Sequence, residues 1–319
     1  MFDRDRRGWR RWLGRVPAVA AGLGLAACAS SAPPVSSHAV PATLRPVAAT
    51  TSTPVPPTPS APAPSPSPTP SKLELALKAA QQRQVLAPAQ LAARIELAED
   101  GIRSALTPSS RLPQLGALEQ AAYIQLVARP DWQQSVLASL QERLRPIAQA
   151  NLSAGTELAA LNSPVPELPH WQVQPPPPAQ DLLNYYQQAQ QVYGVAWQYL
   201  AAINLVETSM GRIHGLSSAG AQGPMQFLPQ TWAHYGQGDV NNARDAIPAA
   251  ARYLKAHGAP QDMNGAVYAY NPSDHYVRAV TLYTQQMQSS ASAFYGYYNW
   301  QVYVSTTSGL AFLSGGFSN

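Results

Sequence analysis

Proline sets the limits of what this chain can fold into. A proline has no N–H to give to a helix or ladder and its φ is locked, so a segment dense in proline is closed to both structures. The chain holds 31 prolines in 319 residues, and they are concentrated. Residues 29–71 are built from Pro, Ser, Thr, Ala and Val and end in PVPPTPSAPAPSPSPTPS. Such a segment cannot bury apolar surface and has no helical period. Residues 28–71 therefore read as a disordered tether, which at ~3.1 Å per residue would extend on the order of 130 Å. Four consecutive prolines, 175–178, mark a second break. Residues 163–180 read as a Pro-rich linker that could lie across a neighbouring surface through Trp171. A packed core must come from residues 72–162 and from residue 181 onward.

Ahead of the tether stands a segment of another kind. Residues 1–27 begin with six arginines and continue into the apolar stretch Val16–Ala27, too short to span a bilayer as a mature helix. They read as an export signal. The single cysteine, Cys28, follows Leu25-Ala26-Ala27 and cannot form an internal disulfide. Its position after an apolar signal points to lipidation, with several acyl chains holding the protein at a membrane. The six arginines against Asp3 and Asp5 account for the whole formal charge of +4. The remainder is neutral, with no basic stripe, which argues against a nucleic-acid partner.

Residues 72–162 read as a small helical module. Leu91, Ile95, Ala98, Ile102 and Leu106 recur at helical spacing. So do Leu115, Leu118, Ala122 and Leu126, and Trp132, Val136, Leu140, Leu144 and Ile147. These stripes are core faces and carry no catalytic constellation. After the second break, helices are expected at Asp181–Tyr193, Trp197–Met210, Pro229–Tyr235 and Asp245–His257, then briefly before Ala269-Tyr270-Asn271, and at Asp274–Ser289. Pro248 is expected in the first turn of its helix. A stripe of Tyr276, Val280, Tyr283 and Met287 runs along the last helix. The tail, 290–319, is rich in aromatic and β-branched residues around Thr307-Ser308-Gly309, the pattern of a β-hairpin.

One residue stands apart. Glu207 ends an apolar helix and is the only glutamate between Leu168 and the C-terminus. Its helical face is shared with Leu200, Ile203 and Met210, so the carboxyl is poorly solvated and its pKa should rise, as a general acid requires. An ion pair with Arg212 is the bland alternative. His214 and His275 have no second ligand at metal spacing, so no metal site is expected, and no cofactor.

Taken with Gly223-Pro224-Met225-Gln226-Phe227-Leu228-Pro229-Gln230-Thr231-Trp232 and Ala269-Tyr270-Asn271, Glu207 resembles the lytic transglycosylases of the lysozyme-like superfamily, lipoprotein type. The likeness covers about residues 181–289. It implies a mainly α, lysozyme-like transglycosylase domain that cleaves the MurNAc–GlcNAc β-1,4 bond of peptidoglycan with formation of 1,6-anhydro-MurNAc. It implies Glu207 as the single acid/base, with Thr208, Gly223, Met225, Gln226, Tyr270 and Asn271 as substrate-binding residues. Thr208 stands where the family usually has serine and Pro224 where many members have leucine. The absence of a second glutamate suits a mechanism in which the substrate's own N-acetyl group stabilises the anomeric carbon. The alternatives are a muramidase, with water replacing the 6-hydroxyl, and a non-catalytic peptidoglycan-binding lipoprotein. The expected partners are glycan strands and, through the anchor, a membrane; the protein is expected to act as a monomer in the cell envelope.

Overall fold

The computed structural model describes residues 85–314. The export signal, Cys28, the tether and the start of the helical module lie outside the described residues. Four helices come first: α1 (Pro88–Arg103), α2 (Leu112–Val127), α3 (Pro130–Ser139) and α4 (Arg145–Leu161). Each has a proline at one of its first two positions, where the missing N–H costs nothing. Leu91, Ile95, Ala122, Leu126 and Val136 form their shared core.

Two stripes are shorter than the spacing suggests. Helix α1 ends at Arg103, and Leu106 is 93% exposed beyond it. The run from Trp132 to Ile147 is not one helix. Helix α3 stops at Ser139, a 3-10 turn covers Glu142–Leu144, and α4 starts at Arg145. The break lies at Leu140 and Gln141, whose backbones turn extended (ψ 151° and 139°), while Pro146 sits in the first turn of α4, where its missing N–H costs nothing. Val136, Leu140 and Leu144 are buried all the same.

The stretch 163–180 runs along the protein surface under close restraint. Val165 N–H donates to the Ser305 carbonyl, and the Thr307 N–H donates back to Val165. Strand β1 (Gln172–Val173) pairs antiparallel with β2 (Ile213–His214).

The second half contains α5 (Ala179–Tyr193), α6 (Trp197–Thr208), α7 (Pro229–Tyr235), α8 (Ala243–Ala256), α9 (Met263–Tyr270), α10 (Asp274–Ser289) and α11 (Ala293–Tyr298). Gly194, at φ 76°, closes α5 in the left-handed conformation that glycine adopts freely. Helix α8 starts at Ala243, capped by the Asn242 side chain, which accepts from the Arg244 N–H. Pro248 therefore sits inside that helix, one turn later than the sequence spacing places it. Helix α11 was not apparent in the aromatic tail, yet it buries Phe294 and Tyr297 fully. The hairpin follows: β3 (Val302–Thr306) pairs with β4 (Gly309–Leu313) across a turn at Thr307-Ser308.

The two groups of helices share an interface. Helix α4 lies along α10, and α2 packs on α11. Ala154 of α4 belongs to the same core as Leu200, Ile203 and Tyr276, while Trp300 packs against both cores. Glu157 of α4 bridges to His275 (2.6 Å) and Arg278 (2.7 Å) of α10. Among the described residues, no helix is long and apolar enough to cross a membrane.

Candidate active site

Helix α6 places the lone glutamate. Leu200, Ala201, Ala202 and Ile203 are fully buried, so the helix runs through the core and its last turn emerges beside the loops. Three successive residues then take positive φ: Ser209 (52°), Met210 (65°) and Gly211 (85°). For Ser and Met this conformation is costly and persists only where the surroundings impose it. The constraint is a hydrogen-bond knot. Met210 N–H donates to the Asn204 carbonyl at 3.1 Å. Gly211 N–H donates to Thr208 Oγ1 at 3.0 Å. Thr208 donates to the Pro224 carbonyl at 2.7 Å, and Asn204 Nδ2 donates to that same carbonyl at 2.8 Å. Tyr186 donates to Asn204 Oδ1 at 2.5 Å. The knot ties the end of α6 to the Gly223–Gln226 loop.

Glu207 is 7% exposed. Burial pushes its carboxyl from the ordinary 4.5 up to about 8, opposed in part by a hydrogen bond from Tyr276. The Tyr276 hydroxyl donates to Glu207 Oε1 at 2.6 Å. Arg212 is not its partner: that guanidinium lies 5.5 Å over the Tyr298 ring and donates to the Ser209 carbonyl. Burial also lowers the pKa of Arg212.

The other expected site residues divide by exposure. Thr208 and Met225 are fully buried. The Thr208 hydroxyl is committed to the knot and the Met225 side chain to the core. Gly223 and Gln226 are half-buried at the loop surface. Gly223 has φ 72°, and a Cβ there would come 1.9 Å from the Val240 carbonyl oxygen, so only glycine fits. Gln226, at φ 49°, donates from Nε2 to the Gly223 carbonyl at 2.9 Å. Tyr270 donates to the Met225 carbonyl at 2.5 Å and packs edge-on against Phe227 and Tyr253. Burial and then the charge of Glu207 push its phenol well up, which puts it in the field of that carboxyl. Asn271 caps the end of α9, and its Oδ1 is buried without a protein partner. A buried acceptor left open is uncommon in a core.

Sequence reasoning missed Tyr276 and Asn204 as parts of the site. Both fall within apolar, periodic helices and read as filler. The available signal was chemical: a fully buried phenol or amide needs a partner.

The aspartates of this region are mostly occupied. Asp262 caps α9 by accepting from the Gly265 N–H. Asp245 accepts from the Asp239 N–H and Asp239 from the Asn241 N–H. Asp181 and Asp274 lie in first turns of α5 and α10. Among the described residues, no group of three His, Cys, Asp or Glu could hold a metal ion.

Comparison with known proteins agrees on one segment. Residues 184–292 match the family model for the transglycosylase SLT domain. A curated relative, the membrane-bound lytic murein transglycosylase F of Thiobacillus denitrificans, is 38% identical over 74 residues. That match covers 23% of this chain and 16% of the relative, so this chain aligns with only a small part of it. No solved structure matches the chain.

Proposed function

We propose, from a chain whose residues 184–292 are a transglycosylase SLT domain, that this protein is a peptidoglycan lytic transglycosylase of the cell envelope. The observation that carries the reading is the state of Glu207: alone, buried, and with a carboxyl raised to about 8. Such a group is about nine-tenths protonated at pH 7, whereas an exposed carboxyl is ionised there.

The chemistry follows from having one carboxyl. Glu207 donates its proton to the glycosidic oxygen as the bond to the MurNAc anomeric carbon breaks. The substrate's N-acetyl oxygen bonds to that carbon in its place, because residues 184–292 hold no second glutamate and Asp239, Asp245 and Asp262 are taken up by loop and cap hydrogen bonds. The Glu207 carboxylate then takes the proton of the MurNAc 6-hydroxyl. That oxygen attacks the anomeric carbon and displaces the acetamido oxygen, leaving a 1,6-anhydro ring and a reprotonated Glu207. Tyr276 holds one carboxylate oxygen throughout. The open Asn271 Oδ1 suits the acetamido N–H, and Tyr270 lines the same side. Holding the attacking hydroxyl in place is worth on the order of several kcal/mol against free water.

Digestion of peptidoglycan in ¹⁸O-water tests this. Anhydro ends without solvent label are expected; labelled reducing ends would make the protein a muramidase. Glu207→Gln should retain under about a tenth of the parent lysis, since general acid–base catalysis is worth at least 10²-fold or so. Lysis above that level would remove Glu207 from its role.

The envelope address rests on sequence. Residues 1–27 as an export signal, Cys28 as the lipidated residue and 28–71 as a tether fit a domain that must reach glycan strands from a membrane. Cys28→Ser should shift the protein from the membrane to the soluble fraction, and an unchanged distribution would refute the anchor.

A further inference from the structure

The corner between α9 and α10 carries two groups of the candidate site. Asn271 ends α9 with its open Oδ1, and Tyr276 stands in the first turn of α10 with its hydroxyl on Glu207. Only residues 271–273 join the two helices. The corner has little of its own to hold it. Ser273 occupies the N-cap position of α10, yet its side chain makes no cap hydrogen bond. A side-chain cap is the usual means of fixing a first turn.

The turn is held instead from outside, by α4. Arg278 donates from Nε to Glu157 Oε1 at 2.7 Å and from Nη2 to Oε2 at 2.9 Å, a two-point fork that fixes orientation as well as distance. His275 Nδ1 lies 2.6 Å from the same Oε2. His275 and Arg278 are three positions apart and share one face of α10, while Tyr276 on another face is fully buried. Helix α4 is itself well fixed. Asn151, Ala154 and Leu158 follow one side of it at helical spacing. Asn151 accepts from Tyr297, and Ala154 and Leu158 pack in the core that contains Leu200, Ile203 and Tyr276. Glu157 therefore reaches the corner from a rigid support. The family match at 184–292 begins after α4, so this support comes from outside the matched segment.

Stability does not account for this arrangement. The side chains of Glu157 and Arg278 are 22% and 50% exposed, and ion pairs open to water add little to folding. What three contacts on one carboxylate add is geometry, at the turn where geometry matters to the carboxyl of Glu207. We infer that Glu157 is a positioning residue of the site: from the helical module it braces the first turn of α10, and through that turn it holds the Tyr276 hydroxyl on Glu207. The helical module is then a working part of the catalytic unit. This rests on the reading of Glu207 as the acid of a glycan-cleaving enzyme. Glu207 is faced by Tyr276 from α10 and by Tyr270 from α9, and only Tyr276 bonds to it. A change at α4 therefore has one route to the carboxyl, the Tyr276 bond.

The test is the pH–rate profile of the full chain on peptidoglycan, with Glu157→Ala and Glu157→Gln. Loss of the Tyr276 bond favours the protonated form of Glu207. Glu157→Ala should lower kcat about fivefold at near-parent KM and move the alkaline limb to higher pH. Glu157→Gln, which keeps one acceptor, should do the same to a smaller extent. In a Tyr276→Phe background Glu157→Ala should leave the limb where Tyr276→Phe alone puts it, because the two changes act through one bond. A limb that Glu157→Ala leaves in place overturns the inference whatever the melting temperature does, since the carboxylate then only ties two helices together. A shift of equal size with and without Tyr276 overturns it as well. Titration of Glu207 by carboxyl-carbon NMR, its signal identified by its loss in Glu207→Gln, separates this from the catalytic reading. A higher midpoint in Glu157→Ala supports the brace even if the parent cleaves nothing; an unchanged midpoint overturns it. If Glu157→Ala does not fold, Glu157→Gln decides alone by the same outcomes.

Discussion

The behaviour of Glu207 is set by two opposed effects, and Tyr276 controls one of them. Burial raises the carboxyl; the phenol's hydrogen bond favours the ionised form and lowers it. Activity that needs a protonated Glu207 should fall as pH rises through about 8. Tyr276→Phe removes the lowering effect, so this alkaline limb should move to higher pH while KM stays near the parent value. A pH–rate profile checks this, and a limb that stays in place or moves down would separate Tyr276 from the carboxyl. Glu207 was legible in the sequence because an ionisable residue in an apolar helix is chemically out of place. Tyr276 was not. It is truly a core residue at helical spacing, and its bond spans 69 positions of sequence. Periodicity reports which face is buried and says nothing about what a buried hydroxyl meets.

At the scale of elements, the junction between α6 and the Gly223–Gln226 loop decides whether the site is assembled. Thr208 joins them with one hydroxyl that both donates and accepts. Thr208→Val keeps the shape and leaves the Gly211 N–H without that acceptor, a cost of about 1–3 kcal/mol. We expect a lower melting temperature and a lower kcat, with Thr208→Ser restoring most of both. A fall in substrate affinity alone, at unchanged stability, would mean that Thr208 contacts substrate after all. The helices themselves were largely legible. Gly194 and the proline breaks bounded them, and Asp274–Ser289 matches its expected span. The failures have local causes. Extended backbone at Leu140 and Gln141 divided a stripe that spacing alone joined, and the Asn242 cap extended α8 ahead of Pro248. Helix α11 was hidden because Ala293–Tyr298 is aromatic, a composition that favours strands, and only burial of Phe294 and Tyr297 makes it helical.

Across the whole molecule, a buried polar network joins the two groups of helices. Glu99 accepts from Arg103, from Tyr123 (2.5 Å) and from Asn151 (2.9 Å). Asn151 accepts from Tyr297 of α11 at 2.6 Å. Glu119, fully buried, accepts from the Trp300 indole at 2.8 Å, while its Oε1 has no partner. Burial and the neighbouring Glu99 push the Glu119 carboxyl well up, with Arg103 and Trp300 opposing. A carboxyl raised in the folded state binds more protons folded than unfolded. Its contribution to stability is therefore complete below the ordinary carboxyl pKa and is lost as pH rises toward its folded value. Glu119→Gln keeps the acceptor for Trp300 and cannot ionise. It should melt above the parent at pH 8, with the gap narrowing toward pH 5; a gap independent of pH would show that Glu119 does not titrate on unfolding. The sequence by itself determined the helical class, the proline-bounded segments and the one candidate acid, because composition, periodicity and breakers act between near neighbours in the chain. The tertiary structure alone decided that Glu207 meets Tyr276, that Glu99 and Glu119 are buried at an interface, and that residues 174–177 wall a cavity. Desolvation and hydrogen-bond partnership are sums over groups brought together from distant parts of the chain, and no local pattern carries them.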